Sequence, residues 1–190
     1  MASTLEQHQI PTEKLSLFTP QCEKGIGKVI LKPDSPDLIE GVTIEQHPIW
    51  PDDRGWFIEV ARLKQGNVQD FPHESTQVSA AVSYPDTIKA FHYHEHQHDF
   101  WVPVSGMFQV VLVDFRKDSA TFGLRNTLYI GQLRPWQLLI PPGVAHGYKV
   151  VGREPGMLVY VTSRIYNPKD EGRIAYNHPG INYDWELQHK

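Results

Sequence analysis

Short apolar runs separated by turn-forming residues are the feature that most constrains the fold of this 190-residue chain. From residue 42 onward, runs rich in Val, Ile, Phe, Tyr and Trp alternate with clusters of Pro, Gly, Asp and Asn. No long segment carries apolar residues at the spacing of an amphipathic helix. The predicted strands are residues 42–49, 57–63, 76–83, 88–94, 100–104, 107–115, 128–130, 137–140, 148–151 and 157–165. This pattern predicts an all-β sandwich or barrel.

The chain length fits one barrel domain with extensions. Residues 1–40 are the least patterned part, and we expect an N-terminal arm there, either loose or donated as a strand to a partner subunit. Residues 41–190 are predicted to form a single barrel domain with a C-terminal extension. Residues 107–115 are almost continuously apolar, so we expect them in the middle of a sheet, buried on both faces.

Charge and composition narrow the classes of partner. A formal charge of -4 and a pI near 6.2 leave no basic stripe for a phosphate backbone, which argues against nucleic-acid binding. No apolar run approaches the roughly 20 residues that cross a bilayer. The single cysteine, Cys22, has no partner for an internal disulfide, and the first twenty residues are too polar for a signal peptide. We expect a cytoplasmic protein with a small-molecule substrate.

Histidines concentrate in residues 92–99, which read His-Tyr-His-Glu-His-Gln-His-Asp. On an extended strand, all four imidazoles would lie on one face. His92 follows an apolar run into the predicted sheet, which favours an interior, functional position. For His96 and His98, an equally weighted alternative is an edge loop that faces water.

A second histidine follows a rigid turn. The prolines and glycine of residues 141–143 restrict the backbone before His146, so this side chain is held in a fixed direction. Alone, such a histidine is more often structural than functional. Together with His92 it predicts one interior pocket that both side chains share.

These two segments resemble the paired motifs of the cupin superfamily. The first motif reads His92, His94, Asp99 and Gly106, with aspartate where glutamate is usual; the second reads Pro141, Gly143 and His146. The resemblance implies a cupin-type jelly-roll antiparallel β-barrel. In metal-binding cupins the matching residues, here His92, His94, Asp99 and His146, hold one divalent ion such as Fe, Mn, Ni or Zn.

Most of the chain, from about residue 42 to 185, is similar to the dTDP-4-dehydrorhamnose 3,5-epimerase family. The matching residues, in order, are Arg54-Gly55-Trp56-Phe57-Ile58-Glu59, Gln77, His92, residues 113–123, residues 140–148, Tyr160, Tyr166, Pro168 and Glu171-Gly172. The resemblance implies a cofactor-free epimerase of a nucleotide-linked 4-keto-6-deoxy sugar. Its base would be His92 and its proton donor Tyr160.

The same resemblance assigns residues to substrate binding. Arg54, Glu59 and Gln77 would contact the nucleotide, Tyr166 would stack on the base, and His146 would support the site. Lys89 stands where the family has an arginine, which keeps the charge but not the bidentate geometry.

Two further departures affect the chemistry. Asp99 aligns with the family's active-site lysine, so an anion replaces the cation that would steady an enolate. The aspartate that pairs with the family's catalytic histidine has no match. In contrast, His94 and Asp99 both restore cupin ligand positions, and a metal would supply the missing positive charge.

Three hypotheses follow. The first is a 3,5-epimerase, or a related keto-isomerase, of a dTDP-4-keto-6-deoxy sugar. The second is a metal-dependent cupin enzyme using His92, His94, Asp99 and His146. The third is a sugar-nucleotide binding cupin without catalysis. We also expect a homodimer, because family members exchange edge strands and an isolated arm would leave an edge unprotected.

Overall fold

A computed structural model describes residues 15–188. The strands are β1 (Lys28–Val29), β2 (Thr43–Gln46), β3 (Ile49–Asp52), β4 (Gly55–Ile58), β5 (Gln77–Ser83), β6 (Ile88–His94), β7 (Asp99–Ser105), β8 (Met107–Asp114), β9 (Arg125–Gly131), β10 (Trp136–Ile140), β11 (Val144–Val151), β12 (Gly156–Thr162) and β13 (Glu171–Arg173). Within the described residues, the helical content is the 3₁₀ turn Gly66–Val68, and no helix is long and apolar enough to span a membrane.

Two large sheets form the body of the molecule. The six-stranded sheet has the order β1-β9-β8-β11-β6-β13, the five-stranded sheet has the order β2-β10-β7-β12-β5, and β3 and β4 form a separate hairpin. In the described part of the chain, β1 and β9 are the one parallel strand pair, and the other pairs are antiparallel. The predicted all-β, cupin-type antiparallel fold is confirmed, with β1 as the parallel addition.

The main core fills the space between the two sheets. Alternation along each strand sends every second side chain into this space. The buried residues of this core are Ile30, Ile39, Val42, Ile44, Trp101, Phe108, Val110, Leu112, Leu128, Ile130, Trp136, Leu138, Ile140, Val144, Tyr148, Val150 and Leu158. The polar site residues described below enter the same interior.

Both sheets are also covered on their outer faces. The C-terminal segment packs Ile181, Tyr183 and Trp185 against Val111 and Val113 of β8. A loop covers the five-stranded sheet in the same way, with Val68 and Phe71 in contact with the cluster around β7. Strand β8 is therefore buried on both faces, and its near-continuous apolar sequence is confirmed as a central strand.

The segment before the barrel differs from the expected loose arm. Residues 28–29 pair with β9, and Ile30 and Ile39 are fully buried in the main core. Burying these two side chains stabilises the docked segment by a few kcal/mol. The prediction of a loose arm is therefore wrong for residues 15–40. Residues 1–14, the rest of the predicted arm, lie outside the described residues. The division of the chain at residue 40 stays a prediction.

The bounds of most predicted strands differ from the observed ones at one or both ends, as in Val144–Val151 against 148–151, and two predicted strands differ in more than their ends. The run 42–49 is divided between β2 and β3, and the run 57–63 leaves the sheet after Ile58. Beyond β4 the chain makes loops and the 3₁₀ turn, so the apolar residues Val60 and Ala61 pack against the outer cluster rather than pairing in a strand.

Candidate active site

A cavity of about 570 Å³ opens between the two sheets, a size that suits a small-molecule ligand. The six-stranded sheet lines it with His92 and His94 from β6 and Arg173 from β13. The five-stranded sheet lines it with residues of β5, β7 and β12, among them Asp99 and Tyr160. Side chains from opposite sheets therefore face one another across the cavity.

The predicted pairing of His92 with His146 follows from strand register. His92 on β6 is the direct partner of His146 on β11, and their ring centroids are 4.1 Å apart at an angle of 71°. The indole of Trp101 lies beside both rings, 6.3 Å from His92 and 5.1 Å from His146. The aromatic neighbours hold the two imidazoles in a fixed edge-on arrangement.

The backbone determines the tautomer of His146. Its Nδ1 lies 2.9 Å from the Val144 carbonyl, which can only accept, so Nδ1 carries the proton. Neutral His146 then presents a lone pair on Nε2, an atom that is buried without a hydrogen-bond donor. Asp99 Oδ2 lies 3.3 Å from this Nε2. Two acceptors that face each other at this distance need a proton or another cation between them.

His94 is oriented in a comparable way. The Gln97 amide nitrogen lies 3.2 Å from His94 Nε2 and donates to Asp99 Oδ1 at 2.7 Å. Since the amide nitrogen only donates, His94 Nε2 accepts and Nδ1 carries the proton. That Nδ1 points toward Asp170 Oδ2, 4.0 Å away. His94, Gln97 and Asp99 are all buried.

The histidine run leaves the strand after His94. Strand β6 ends there, and a turn sends His96 away from the cavity, where its Nδ1 lies 2.6 Å from Asp170 Oδ1. His98 packs near Phe71, with ring centroids 6.3 Å apart. Of the four alternating imidazoles, His92 and His94 therefore enter the cavity.

Burial controls the ionisation of the cluster. Burial and, after it, the neighbouring His146 imidazole lower the pKa of His92 well below its usual range. Burial likewise lowers the pKa of His94. Burial by itself raises the pKa of Asp99, but the neighbouring imidazoles, first of all His146, outweigh it and hold this carboxyl ionised. At neutral pH the cavity thus combines neutral imidazole at His92 with a buried carboxylate.

The other predicted residues fall into two groups. Gln77, Lys89, Tyr160 and Tyr166 line the same cavity as His92. Gln77 Oε1 accepts a hydrogen bond from the Tyr166 backbone N–H at 3.0 Å, which fixes the start of the Tyr166 loop. The hydroxyl of Tyr160 has no hydrogen-bond partner among residues 15–188, so it is free to act on a bound ligand.

Arg54 and Glu59 lie outside this cavity. Arg54 is in the β3–β4 turn, where its guanidinium pairs with Asp52 and is otherwise exposed. Glu59 pairs with Arg62 at 2.8 Å and borders a smaller, separate cavity. Within one described chain, the structure does not bring these two residues to the site.

Sequence reasoning overlooked three polar residues of the site region. Gln97 contacts His94 Nε2 at 3.2 Å, Asp170 Oδ2 lies 4.0 Å from His94 Nδ1, and Arg173 is the register partner of His92 on β13. Arg173 Nη2 also pairs with Glu171 Oε1 at 2.8 Å. Gln97 lies within the histidine run 92–99, and Asp170 and Arg173 flank the Glu171-Gly172 match, but only the fold shows what these three side chains contact.

The fold and the cavity together define a cupin-type barrel protein with a small-molecule site between its sheets. A family model described as dTDP-4-dehydrorhamnose 3,5-epimerase matches residues 37–190. The chain belongs to this family, as the sequence resemblance predicted.

The alignments with two curated relatives cover most of this chain. The spore coat polysaccharide biosynthesis protein SpsL of Bacillus subtilis is 42% identical over 80% of this chain and 99% of its own. The probable low-salt glycan biosynthesis epimerase Agl13 of Haloferax volcanii is 32% identical over 79% of this chain and 96% of its own. The shared region in each case spans almost the whole relative.

Solved structures agree with the fold. The dTDP-6-deoxy-D-glucose-3,5-epimerase of Legionella pneumophila, in complex with dTDP-4-keto-L-rhamnose, superposes with a TM-score of 0.68 at 26% identity, covering 80% of this chain and 82% of that one. The 3'-monoepimerase ChmJ of Streptomyces bikiniensis, in complex with dTDP-quinovose, gives a TM-score of 0.67 at 28% identity and covers 78% and 76%.

Proposed function

We propose that this protein is an epimerase, or a closely related keto-isomerase, of a dTDP-linked 4-keto-6-deoxy sugar. Membership of the epimerase family supports this function, as do the sugar-nucleotide complexes of its structural relatives. The observation that carries the proposal is an unprotonated His92 and an unpartnered Tyr160 hydroxyl that line one cavity from opposite sheets.

This opposition suits inversion at a carbon next to a ketone. His92 would remove the proton from one face of the sugar, because its pKa is lowered and its imidazole is ready to accept. Tyr160 would return a proton from the other face. A proton removed on one side and replaced on the other inverts the configuration at that carbon.

Positive charge near the cavity supports binding of a diphosphate. Lys89 and Arg173 line it from β6 and β13, the same strands that border His92. Gln77 and Tyr166 lie on the opposite side, and the ring of Tyr166 is exposed enough to stack on a base. Removal of the substrate proton by His92 would leave a negatively charged enolate. Because Asp99 is itself an anion, Lys89 and Arg173 are the cationic lining residues that could stabilise this charge.

We propose a homodimer as the working assembly. Strand β5 is an edge of the five-stranded sheet and exposes Val78 and Val82. The β3–β4 hairpin exposes Trp50 and Phe57, whose rings are 5.7 Å apart. An apolar edge and hairpin of this kind favour pairing with a second copy, which would also give Arg54 and Glu59 a neighbouring cavity to reach.

Light scattering after size exclusion tests the assembly. A dimer gives about twice the chain mass of 21.8 kDa, whereas a single species at that mass would contradict the proposal.

A cytoplasmic location stays a proposal as well, supported by a single cysteine that needs no oxidising compartment.

The proposed proton transfer needs no cofactor. A metal-dependent cupin enzyme is the second candidate, favoured by ligand atoms of His92, His94, Asp99 and His146 that all lie within 4.8 Å of one another. A binding module without catalysis is the third, and it would bind dTDP while turning over no keto-sugar.

Solvent-exchange NMR tests the first candidate. Metal-free protein in deuterated buffer should place deuterium at the carbon next to the ketone of a dTDP-4-keto-6-deoxyhexose. Failure of the metal-free protein to exchange any such proton would overturn the metal-independent epimerase.

A further inference from the structure

We propose that Arg173 binds the ketone oxygen and the neighbouring hydroxyl of the sugar, and thereby directs proton removal by His92 to C3 rather than to C5. The inference rests on the proposed function and deepens it, because it assigns the residue that decides which carbon of the 4-keto sugar reacts. The family resemblance gave no role to Arg173, and the structure places it beside the proposed base.

Strand β13 brings Arg173 to the cavity. Arg173 is the register partner of His92 on β6, and both residues line the cavity. The pairing is fixed next to this position, because Phe91 N–H donates to the Ile174 carbonyl at 2.8 Å and Ile174 N–H donates to the Phe91 carbonyl at 2.9 Å. Directly opposed residues have Cβ atoms about 4.5–5.5 Å apart, so the Arg173 side chain starts beside the imidazole.

Glu171 holds the guanidinium. It lies two residues before Arg173, on the same face of β13, and its Oε1 is 2.8 Å from Arg173 Nη2. The Glu171 side chain is only 9% exposed, so its position is restricted by packing. Among residues 15–188 it is the one polar partner of Arg173, and further N–H groups of the planar guanidinium therefore remain for a ligand.

The two carbons next to the ketone differ in what lies beside the ketone oxygen. When His92 takes the proton from C3, the electrons of the C3–H bond form the C3–C4 double bond, and the carbonyl electrons move to O4. The resulting enolate holds O3 and O4 on adjacent carbons, on the same side of the double bond. Proton removal from C5 instead leaves the methyl carbon C6 beside O4.

A guanidinium matches the C3 enolate. Its parallel N–H groups bind two neighbouring oxygens at once, a geometry that a lysine ammonium does not offer. Arg173 would stabilise the charge on O4 in either enolate, but it gains a second hydrogen bond, to O3, only in the C3 enolate. Lys89 also lines the cavity, but it precedes His92 by three residues, about 10 Å of extended strand, which leaves it to the diphosphate.

The experiment measures deuterium incorporation at C3 and at C5 separately, by NMR of a dTDP-4-keto-6-deoxyhexose incubated with the full-length protein in deuterated buffer. Arg173→Lys keeps the charge but loses the paired donors. We expect exchange at C3 to fall about 10–100-fold, the range that a hydrogen bond to a charged group contributes, and exchange at C5 to stay within about threefold. Glu171→Gln should also lower exchange at C3 more than at C5, because it releases the guanidinium.

Control variants separate this role from a general loss of the site. Arg153→Gln changes an exposed arginine outside the cavity lining and should leave both rates unchanged. Lys89→Gln, at subsaturating substrate, should lower both rates by the same factor, because weaker diphosphate binding does not distinguish C3 from C5. Calorimetry should show that Arg173→Lys binds dTDP like the wild type, which also establishes that this variant is folded.

The outcomes distinguish this assignment from the proposed function. Equal losses at C3 and C5 in Arg173→Lys, or no loss at C3, would overturn the assignment and leave the epimerase standing. Exchange at C5 alone in the wild type would also overturn it, whereas exchange at C3 alone supports it if Arg173→Lys shows the expected fall. A wild type that exchanges neither carbon would overturn the proposed function, and the assignment with it.

Discussion

Asp99 Oδ2 and His146 Nε2 lie 3.3 Å apart, joining strand β7 of one sheet to strand β11 of the other beside the cavity that Asp99 lines. This contact places a buried anion where the family resemblance led us to expect a cation. The ionised carboxyl adds negative charge to the cavity lining, and Lys89 and Arg173 add positive charge to it. The electrostatic environment of His92 therefore depends on which positively charged group or proton lies next to Asp99.

Removing the proposed base should stop proton abstraction. His92→Gln keeps a polar side chain of similar length but has no group that titrates near neutrality. We expect deuterium exchange into the keto-sugar to fall by about 10²–10⁴-fold, the usual contribution of a general base. His98→Gln, outside the cavity, serves as the control and should exchange normally. Near-normal exchange by His92→Gln would remove His92 from the mechanism.

Removing the proposed proton donor should separate the two half-reactions. Tyr160→Phe retains the ring that packs on the main core but loses the hydroxyl. His92 should still exchange the substrate proton with solvent, while formation of the epimer falls by about 10²-fold or more. NMR of the recovered sugar measures both. Tyr84→Phe, at an exposed tyrosine, is the control. Equal epimer formation in both variants would contradict the assignment.

The stability of the turn after β8 should depend on Asp114. Its buried carboxylate accepts bonds from Arg116, Ser119 and Thr121. Asp114→Asn removes one partner of the buried pair with Arg116, and we expect the free energy of unfolding to fall by about 3–5 kcal/mol. Asp118→Asn, at an exposed site, should change it little. Urea unfolding at neutral pH measures both.

The same carboxyl predicts a pH dependence. Burial alone would raise the pKa of Asp114, but the bonds from Arg116, Ser119 and Thr121 outweigh it, so the folded-state pKa is lowered. Its stabilisation is therefore complete above the unfolded pKa of about 3.9 and is lost as pH falls through the lower folded value. Unfolding of the wild type between neutral and acid pH should show this loss, and Asp114→Asn should show less of it. Identical acid profiles would contradict the prediction.

Gly143 should be needed for the turn before His146. Its φ of +79° is left-handed, and a Cβ there would lie 2.5 Å from Arg116 Cγ. Gly152 has a φ of +95°, but a Cβ at that position would meet open space, so Gly152→Ala isolates the backbone cost of about 1–2 kcal/mol. Gly143→Ala should cost more, because Arg116 must also move. Equal losses in urea unfolding would refute the steric part.

Local spacing predicted the inward direction of His92 and His94 correctly, but not that of His96 and His98, which lie beyond the end of β6. Alternation along β6 sends His92 and His94 inward and Phe91 and Tyr93 toward the outer cluster. The same rule failed past residue 58, where apolar residues pack on the sheet from a loop. Periodicity detects which residues are buried, but it does not distinguish a strand from a loop that covers one.

The contacts of the site could not be predicted in this way. Asp170 reaches His94 and His96 across more than seventy residues of sequence, and Arg173 meets His92 only because β13 pairs with β6. Arg54 and Glu59 were grouped with the cavity residues by resemblance, yet the fold of one chain leaves them on a hairpin and its flank. Their proposed role depends on a second copy.

The sequence by itself determined the β class, the turns, the family and the pairing of His92 with His146, because these follow from short-range patterns and residue identity. Only the tertiary structure decided that Asp99 faces His146, that Asp170 lies near His94, and that Tyr160 lies opposite His92. The reason is physical. Strand pairing and sheet packing are set by apolar burial over long sequence separations, and that packing fixes which polar groups meet in the interior.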